Sequence, residues 1–319
     1  MKRLWRSHPN LVILAAVAIV LGAAEAVLQV KRPDLHDPTY FSAIGNPFKA
    51  YEEDRDLFWT RSFFGRPDLV RLSRARNRVY VVGGSIAVGM SEPFFAVLKD
   101  HGLFVDGFDL ACGGWTSHQA VVQYRRFAAL RPPTHAVLCN GYNDSRPALL
   151  DYAAQARLNR TRARRVLFEL NKSRLFTLYR RGMLRALSRK DPKPGTVCVP
   201  LDQYRANLAE FVRLAREGGA VPVLVTQGFP GSRNRDQTAP YFAVMEEVAR
   251  ETGAVFADVR PAIAEANARL GIPNESADTP GFEARGSALW TDPVHLNDAG
   301  YRIEGEVIFQ AVGARGGWK

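Results

Sequence analysis

Short, uninterrupted apolar runs alternate with longer amphipathic stretches from Arg78 to the C-terminus. Unbroken apolar runs are typical of strands that are buried on both faces of a parallel sheet. The amphipathic stretches between them carry apolar residues at helical spacing and predict helices on both faces of that sheet. The predicted strands are residues 78–82, 103–110, 134–139, 221–226 and 255–257.

The predicted helices follow these strands in regular order. One of them, residues 117–130, carries Val121, Tyr124 and Phe127 along one stripe. No internal repeat interrupts the alternation, so the pattern predicts one α/β domain, a three-layer α/β/α sandwich around a parallel sheet. The other predicted helices are a segment through residues 94–99 and residues 201–217, 239–251, 259–270 and 299–312.

The N-terminal segment has a different character. Three basic residues precede residues 11–30, in which Glu25 is the only ionisable residue. Twenty helical residues match the ~30 Å core of a bilayer, so we expect an uncleaved transmembrane signal anchor over residues 1–31. Residues 24–26 also fit a small-x-small cleavage site, which leaves a cleaved signal peptide as the alternative. Both interpretations put the rest of the chain outside the cytoplasm, on the periplasmic side of the cell envelope or secreted.

Residues 32–76 contain many aromatic residues but no clear helical or strand period. Disordered linkers are poor in aromatic residues. We therefore expect a membrane-proximal lead-in that packs against the domain. The domain itself is predicted to span residues 77–319, with an insertion at about 145–200 where the regular pattern stops.

Composition excludes wholesale disorder, at 46% hydrophobic and 24% charged residues, but the charge is uneven. Residues 155–193 hold thirteen Arg and Lys against Glu169 and Asp191, a local net charge of +11 that equals the net charge of the chain. This basic segment predicts one or two amphipathic helices. Three interpretations stay open: a solvated basic face, a surface for anionic membranes, or an entrance for an acidic substrate. Nucleic acid is not an expected partner of an exported protein, and the oligomeric state stays open.

The three cysteines, Cys112, Cys139 and Cys198, are odd in number and predict no disulfide framework. No second His or Cys lies at ligand spacing from His295, so no metal is expected. No cofactor is expected either, because neither of the functions considered below needs one.

Candidate chemistry begins with Gly83-Gly84-Ser85, which follows the first predicted strand. Glycines at that place allow a sharp turn that presents the Ser85 hydroxyl at the sheet edge, before a helix N-terminus. A phosphate-binding loop would need a lysine after its second glycine, and Met90 stands there after Gly89. The remaining interpretations are a nucleophilic serine and a structural turn.

Two further patches follow the next two strands. Gly114 lies in Cys112-Gly113-Gly114-Trp115, and Asn143 lies in a Gly-Tyr-Asn-Asp run. A glycine N–H and an asparagine amide can both donate hydrogen bonds to an oxyanion. The alternatives are an ordinary loop and an Asx-type turn.

Asp292 and His295 stand three residues apart near the C-terminus. On a turn, this spacing places both side chains on one side, so that the carboxylate can hold Nδ1 of the imidazole and leave Nε2 free as a base. The alternative is a helix-capping cluster with a surface histidine.

Together the four patches resemble the SGNH, or GDSL-like, hydrolase superfamily. The resemblance implies a flavodoxin-like sheet, a Ser85–His295–Asp292 triad, and an oxyanion hole formed by Ser85, Gly114 and Asn143. Two positions depart from the family pattern, because Gly84 stands where an aspartate usually precedes the nucleophile, and Asp109 stands at the usual place of an asparagine in the second block. The first departure is similar to what membrane-anchored members show.

The resemblance implies a serine esterase or acyl hydrolase. We expect it to cleave or transfer an O-acyl group, such as an acetyl group, on an envelope carbohydrate or lipid. The alternative is a non-catalytic envelope-assembly or glycan-binding protein on the same scaffold.

Overall fold

The computed structural model describes residues 9–31, 51–54, 56–61, 76–148, 151–159, 173–176, 178–179, 197–272 and 288–318. The chain divides into two compact units. The first contains residues 1–59 and 154–194, and the second contains residues 60–153 and 195–319. Most of the predicted lead-in, 32–76, lies outside the described residues.

The described residues contain two sheets. Strands β1 (Tyr51–Asp54) and β2 (Phe58–Arg61) form the smaller one. The larger sheet has five parallel strands in the order β4-β3-β5-β6-β7. Its strands are β3 (Asn77–Gly83), β4 (Val105–Asp109), β5 (His135–Cys139), β6 (Val221–Val225) and β7 (Val255–Ala257).

This strand order is the flavodoxin-like one, and it confirms the predicted parallel-sheet α/β fold. The order reverses at β3, whose partners are β4 on one side and β5 on the other. In such sheets, binding sites form beyond the carboxyl ends of the strands at this switch point. Ser85 and Asn143 follow the two strands that meet there.

Nine helices are seen in the described residues. They are α1 (Pro9–Lys31), α2 (Ser85–Asp100), α3 (Ser117–Leu130), α4 (Tyr142–Ser145), α5 (Tyr152–Asn159), α6 (Leu201–Glu217), α7 (Ser232–Thr252), α8 (Arg260–Arg269) and α9 (Asp298–Gly313). Helix α7 begins seven residues before the predicted start at 239, because Pro240 is accommodated inside the helix rather than in its first turn.

One large part of the core lies between the central strands and the pair of helices α2 and α9. Phe94 and Leu98 of α2 and Ile308 of α9 are fully buried against Val81 and Val137 of the sheet. Gly305 allows the two helices to approach, since a Cβ there would lie 3.1 Å from Cγ2 of Val97. This packing fixes α2, which carries Ser85, against α9, which follows His295.

The N-terminal segment forms α1, as expected for residues 11–30. Within the described residues, however, no helix combines the length and apolarity that crossing a membrane requires, so the predicted transmembrane helix is not found.

Glu25 of α1 is bonded to the basic segment within the first unit. Its carboxylate accepts hydrogen bonds from Ser173 Oγ at 2.7 Å and from the backbone amides of Arg174 and Leu175 at 2.8 and 2.9 Å. Residues 174–176 are helical, and most of the rest of the basic segment lies outside the described residues. The one acidic residue of the apolar stretch is therefore bonded to the basic segment.

Candidate active site

Two glycines set the position of the serine. Gly83 has a φ of 153°, and a Cβ there would lie 2.2 Å from the carbonyl oxygen of Cys139 in the neighbouring strand. A Cβ on Gly84 would lie 2.5 Å from Nδ2 of Asn143. Any side chain at either place would push the turn away from β5, so the glycines bring Ser85, the first residue of α2, beside Asn143.

The structure brings Ser85, His295 and Asp292 into one hydrogen-bonded chain. His295 Nε2 lies 2.7 Å from Ser85 Oγ, and His295 Nδ1 lies 2.7 Å from Asp292 Oδ2. The other carboxylate oxygen of Asp292 accepts from the amides of Val294 and His295, each at 2.8 Å. The Asp292 side chain is thus fixed on the Nδ1 side of the His295 imidazole, and Nε2 faces Ser85.

The electrostatics of Asp292 favour its ionised form. Partial burial raises the pKa of its carboxyl group, but the hydrogen bonds from His295 and Val294 outweigh burial and hold the pKa below its usual value. Asp292 therefore stays a carboxylate at neutral pH and can stabilise a positively charged imidazole.

The loop that carries this pair is itself held in place. Trp290 and Leu296 form an antiparallel bridge across it, and the buried Trp290 Nε1 donates to Asn267 Oδ1 of α8 at 2.9 Å. Just after His295, the Asn297 side chain caps α9 by accepting from the Gly300 amide at 3.1 Å. Helix α9 thus starts directly after the base.

The two predicted oxyanion donors, Gly114 and Asn143, are both next to Trp115. Gly114 is exposed in the turn after β4, with a φ of 77°. The carbonyl oxygen of the next residue, Trp115, accepts from Asn143 Nδ2 at 3.0 Å and from Asn140 Nδ2 at 3.1 Å. One N–H of the Asn143 amide is used in this contact, so the other is left for a substrate oxygen.

Asp144 was not among the predicted site residues. It is fully buried, and its two oxygens accept from the amides of Ser117 at 2.8 Å and Gly141 at 3.1 Å. Burial raises the pKa of Asp144 to about 6 in spite of these hydrogen bonds. The Asp144 carboxylate thus joins the Asn143 loop to the start of α3. The sequence signal that could have identified Asp144 is its position three residues after the helix-capping Gly141.

A cleft of about 200 Å³ borders the same edge of the sheet. Phe229 in its wall contacts Tyr142 with 5.4 Å between ring centres, and Asn234, at the start of α7, donates to the Pro293 carbonyl at 3.2 Å. Arg235, Asp236 and Arg260 provide its charged lining and Ile263 part of its apolar lining. Ser85, Asn143 and His295 are not among the residues that line the cleft. Its link to the loop of the base is Asn234, the neighbour of the lining residue Arg235.

Within the described residues, no group of three or more His, Cys, Asp or Glu is arranged to hold a metal ion.

The sequence model of the GDSL-like lipase/acylhydrolase family matches residues 81–303, which include all four predicted patches. The chain belongs to this family. That confirms the predicted enzyme class, a GDSL-like hydrolase acting on ester bonds; the membrane-anchored subgroup stays a prediction. No curated protein matches the sequence.

Several solved structures are similar to the family domain. An acetylxylan esterase from Geobacillus stearothermophilus is 17% identical, with a TM-score of 0.49, and the match covers 75% of this chain and 95% of that one. An α/β hydrolase enzyme, LAE5, from the metagenome of Lake Arreo, Spain, is 16% identical with a TM-score of 0.48, over 75% and 96%. A lipase/acylhydrolase from Enterococcus faecalis is 14% identical with a TM-score of 0.47, over 75% and 96%.

Proposed function

We propose that this GDSL-family enzyme is a serine esterase that cleaves or transfers a short O-acyl group on a carbohydrate or lipid. Ser85 is its nucleophile, His295 its base and Asp292 the residue that orients the base. The observation that carries the proposal is the continuous hydrogen-bonded chain, with 2.7 Å at each of its two contacts to the imidazole.

The proposed reaction begins when Nε2 of His295 takes the proton of Ser85 Oγ as that oxygen attacks the ester carbonyl carbon. The Asp292 carboxylate stabilises the imidazolium that forms. The imidazolium then gives its proton to the departing alcohol. The acyl group stays bonded to Ser85 Oγ. Water or an acceptor hydroxyl, deprotonated by His295, attacks the acyl-enzyme and releases the acyl group.

Three donors are proposed to hold the oxyanion: the backbone amides of Ser85 and Gly114 and the free N–H of Asn143. Gly84 supports this assignment because its missing Cβ lets Asn143 approach the nucleophile closely. The contact of Asn143 with the Trp115 carbonyl fixes the amide before substrate binds, so the donor needs no reorganisation during the reaction.

The size and lining of the cleft support a small, polar substrate. Its volume of about 200 Å³ lies below the ~300–1,000 Å³ of sites for drug-sized ligands. Phe229 and Ile263 offer apolar contact, whereas Gln227, the two guanidinium groups and the Asp236 carboxylate offer polar contacts for the hydroxyl groups of a substrate. An acylated sugar matches this mixture of contacts.

Labelling with a fluorophosphonate probe tests the proposed nucleophile. We expect the wild type to be labelled and to release acetate from p-nitrophenyl acetate, and Ser85→Ala to lose both activities. Ser91→Ala is the matched control, since Ser91 lies on the same helix and its hydroxyl donates to the Ala87 carbonyl. A folded wild type that takes no label would favour the non-catalytic, glycan-binding alternative.

We also propose that the enzyme works outside the cytoplasm, with α1 and the basic segment at an anionic membrane surface. The apolar residues 11–30 support this location, as does the bonding of Glu25 to Ser173, which leaves no free carboxylate on the apolar stretch. An alkaline phosphatase fusion after residue 76 should be active in the periplasm; an inactive fusion of normal abundance would contradict the location.

A further inference from the structure

Helix α9 carries a buried carboxyl group that the proposed mechanism does not use. Glu304 has no exposed surface, and within the described part of the chain its carboxyl oxygens make no hydrogen bond of ordinary geometry, although the Gly228 amide approaches them. Tyr301, one turn earlier on the same helix, is also buried and its hydroxyl likewise lacks a hydrogen-bond partner there. Leaving such groups unpaired is costly, so their presence calls for a role.

Within the residues that the structure describes, the elements packed around Glu304 present no cation to it. Strand β5 contributes the buried Cys139 thiol, and the backbone amide of Gly228 approaches after β6. Strand β7 has no titratable residue. On α8, Arg260 pairs with Asp258, and Arg269 pairs with Glu265 at the surface.

The charged residues of α2 and α9 are also kept at the surface. Asp100 pairs with Arg302, and His101, just after α2, pairs with Glu306. Glu92 and Lys99 are exposed. Among the described residues, the buried carboxyl group therefore lies next to the neutral side chains of Tyr301 and Cys139.

These surroundings favour the neutral acid. Burial raises the pKa of Glu304 to about 8, against a smaller lowering by the Gly228 amide. Burial likewise raises the pKa values of Tyr301 and Cys139, the proximity of Glu304 adds to both shifts, and the Asp292 carboxylate adds to the shift of Tyr301. At pH 7 all three groups are uncharged, and ionisation of Glu304 would place an unpaired charge in the core.

This buried cluster touches both halves of the site. The ring of Tyr301 lies on Gly89, one turn after Ser85, so closely that a Cβ there would be 2.5 Å from ring atom Cε2. The Tyr301 amide donates to the Asn297 carbonyl at 2.9 Å, two residues after His295. A movement of this face of α9 would therefore reach the nucleophile and the base together.

We propose that Glu304 is a positioning residue, which keeps Ser85 and His295 in hydrogen-bond contact only while its carboxyl group is neutral. Ionisation draws the carboxylate toward water, shifts α9 and moves Tyr301 away from Gly89. This role rests on the proposed esterase function and adds to it a reversible loss of activity in mild alkali.

The pH profile of kcat/KM on p-nitrophenyl acetate tests the role, with the Ser85→Ala rate subtracted as background. The wild type should lose about tenfold between pH 7 and pH 9, because ionisation near pH 8 leaves about a tenth of the molecules neutral at pH 9. Glu304→Gln and Glu304→Leu cannot ionise, so their ratio of activity at pH 9 to that at pH 7 should stay near one. Glu306→Gln, on the exposed face of α9, should keep the wild-type ratio.

A wild-type profile that is flat to pH 9, or a Glu304→Gln profile that falls like the wild type, would overturn the role. Thermal unfolding gives a measure that needs no activity. The folded state keeps a proton that the unfolded chain releases near pH 4.5, so wild-type stability should fall as the pH rises from about 4.5 to about 8. The fall should be smaller in Glu304→Gln; parallel curves would show that the carboxyl group is not neutral and would also overturn the role.

Complete absence of hydrolysis by the wild type at every pH would contradict the proposed function, and this role with it. In that case, the unfolding curves would still report whether Glu304 is neutral, so the two failures can be told apart.

Discussion

Each polar side chain at the proposed site has a fixed partner before any substrate is present. Asp292 uses both carboxylate oxygens on its own loop, and Asn143 spends one amide hydrogen on the Trp115 carbonyl. Ser85 is held by the imidazole at 2.7 Å. Catalytic groups that are already oriented need little rearrangement as charge develops in the transition state.

Asn143→Ala tests the preorganised oxyanion donor. The change should lower kcat by ~10²–10³-fold with a small effect on KM, since the donor acts mainly on the oxyanion of the transition state. Steady-state kinetics on p-nitrophenyl acetate measure both constants. Asn234→Ala is the control, because the Asn234 side chain donates to the Pro293 carbonyl at the surface and its loss should leave kcat within a few-fold. An equal loss in both variants would count against the oxyanion role.

Asp144→Asn tests the buried carboxylate behind the Asn143 loop. An asparagine can accept from Ser117 or from Gly141, but its amide would then face the other N–H, at a cost of ~1–3 kcal/mol for an unsatisfied buried group. We expect a lower melting temperature and a lower kcat in the same variant. Asp202→Asn, on an exposed position of the first turn of α6, should change neither by a comparable amount.

At the residue scale, short sequence motifs pointed to polar residues that are close together in the chain. They did not point to polar residues whose role depends on being buried. Asp292 and His295 stand three residues apart, and the structure joins them. Glu304 and Glu306 look alike in the sequence, yet one is fully buried and the other pairs with His101 at the surface. Only tertiary packing distinguishes the two.

At the scale of elements, glycines decide how closely α2 approaches its neighbours. Gly89 faces Tyr301 and Gly305 faces Val97, so the helix of the nucleophile and the helix after the base are in tight contact. The central strands β3, β5 and β6 were predictable because buried parallel strands are largely apolar runs, whereas the edge strand β4 contains two aspartates and is only half-buried. The start of α7 was not predictable. A proline usually marks the first turn of a helix, but Pro240 lies inside α7.

Gly89→Ala tests this contact. The new methyl group would lie 2.5–2.7 Å from the Tyr301 ring, so α2 and α9 must separate, at a cost of ~1–3 kcal/mol. Chemical denaturation should show the loss, and kcat should fall with it because Ser85 lies one turn away. Gly313→Ala is the matched control on α9: its nearest neighbour would be 3.8 Å away, and the helix should be as stable or more stable. Unchanged stability in Gly89→Ala would contradict the tight packing.

At the scale of the whole molecule, the charge and the proposed chemistry belong to different parts of the chain. The excess of positive charge lies in residues 155–193, which fall inside the family match of 81–303 but are all grouped with the N-terminal unit. Ser85, Asn143 and His295 all lie in the other unit. Sequence periodicity did not predict this grouping, because the contacts of Glu25 with Ser173 and Arg174 join segments about 150 residues apart.

Vesicle flotation tests whether the basic segment serves a membrane surface. The protein should float with vesicles that contain anionic lipid more than with neutral ones, since each Lys or Arg near such a surface contributes ~1 kcal/mol. Replacing Arg162, Arg164 and Arg165 by Gln should weaken this binding, and high salt should weaken it in the wild type. The matched control replaces Arg213, Arg216 and Arg250 of the family domain and should bind like the wild type. Equal flotation on both kinds of vesicle would leave the segment as a solvated basic face, as the charge pattern also allowed.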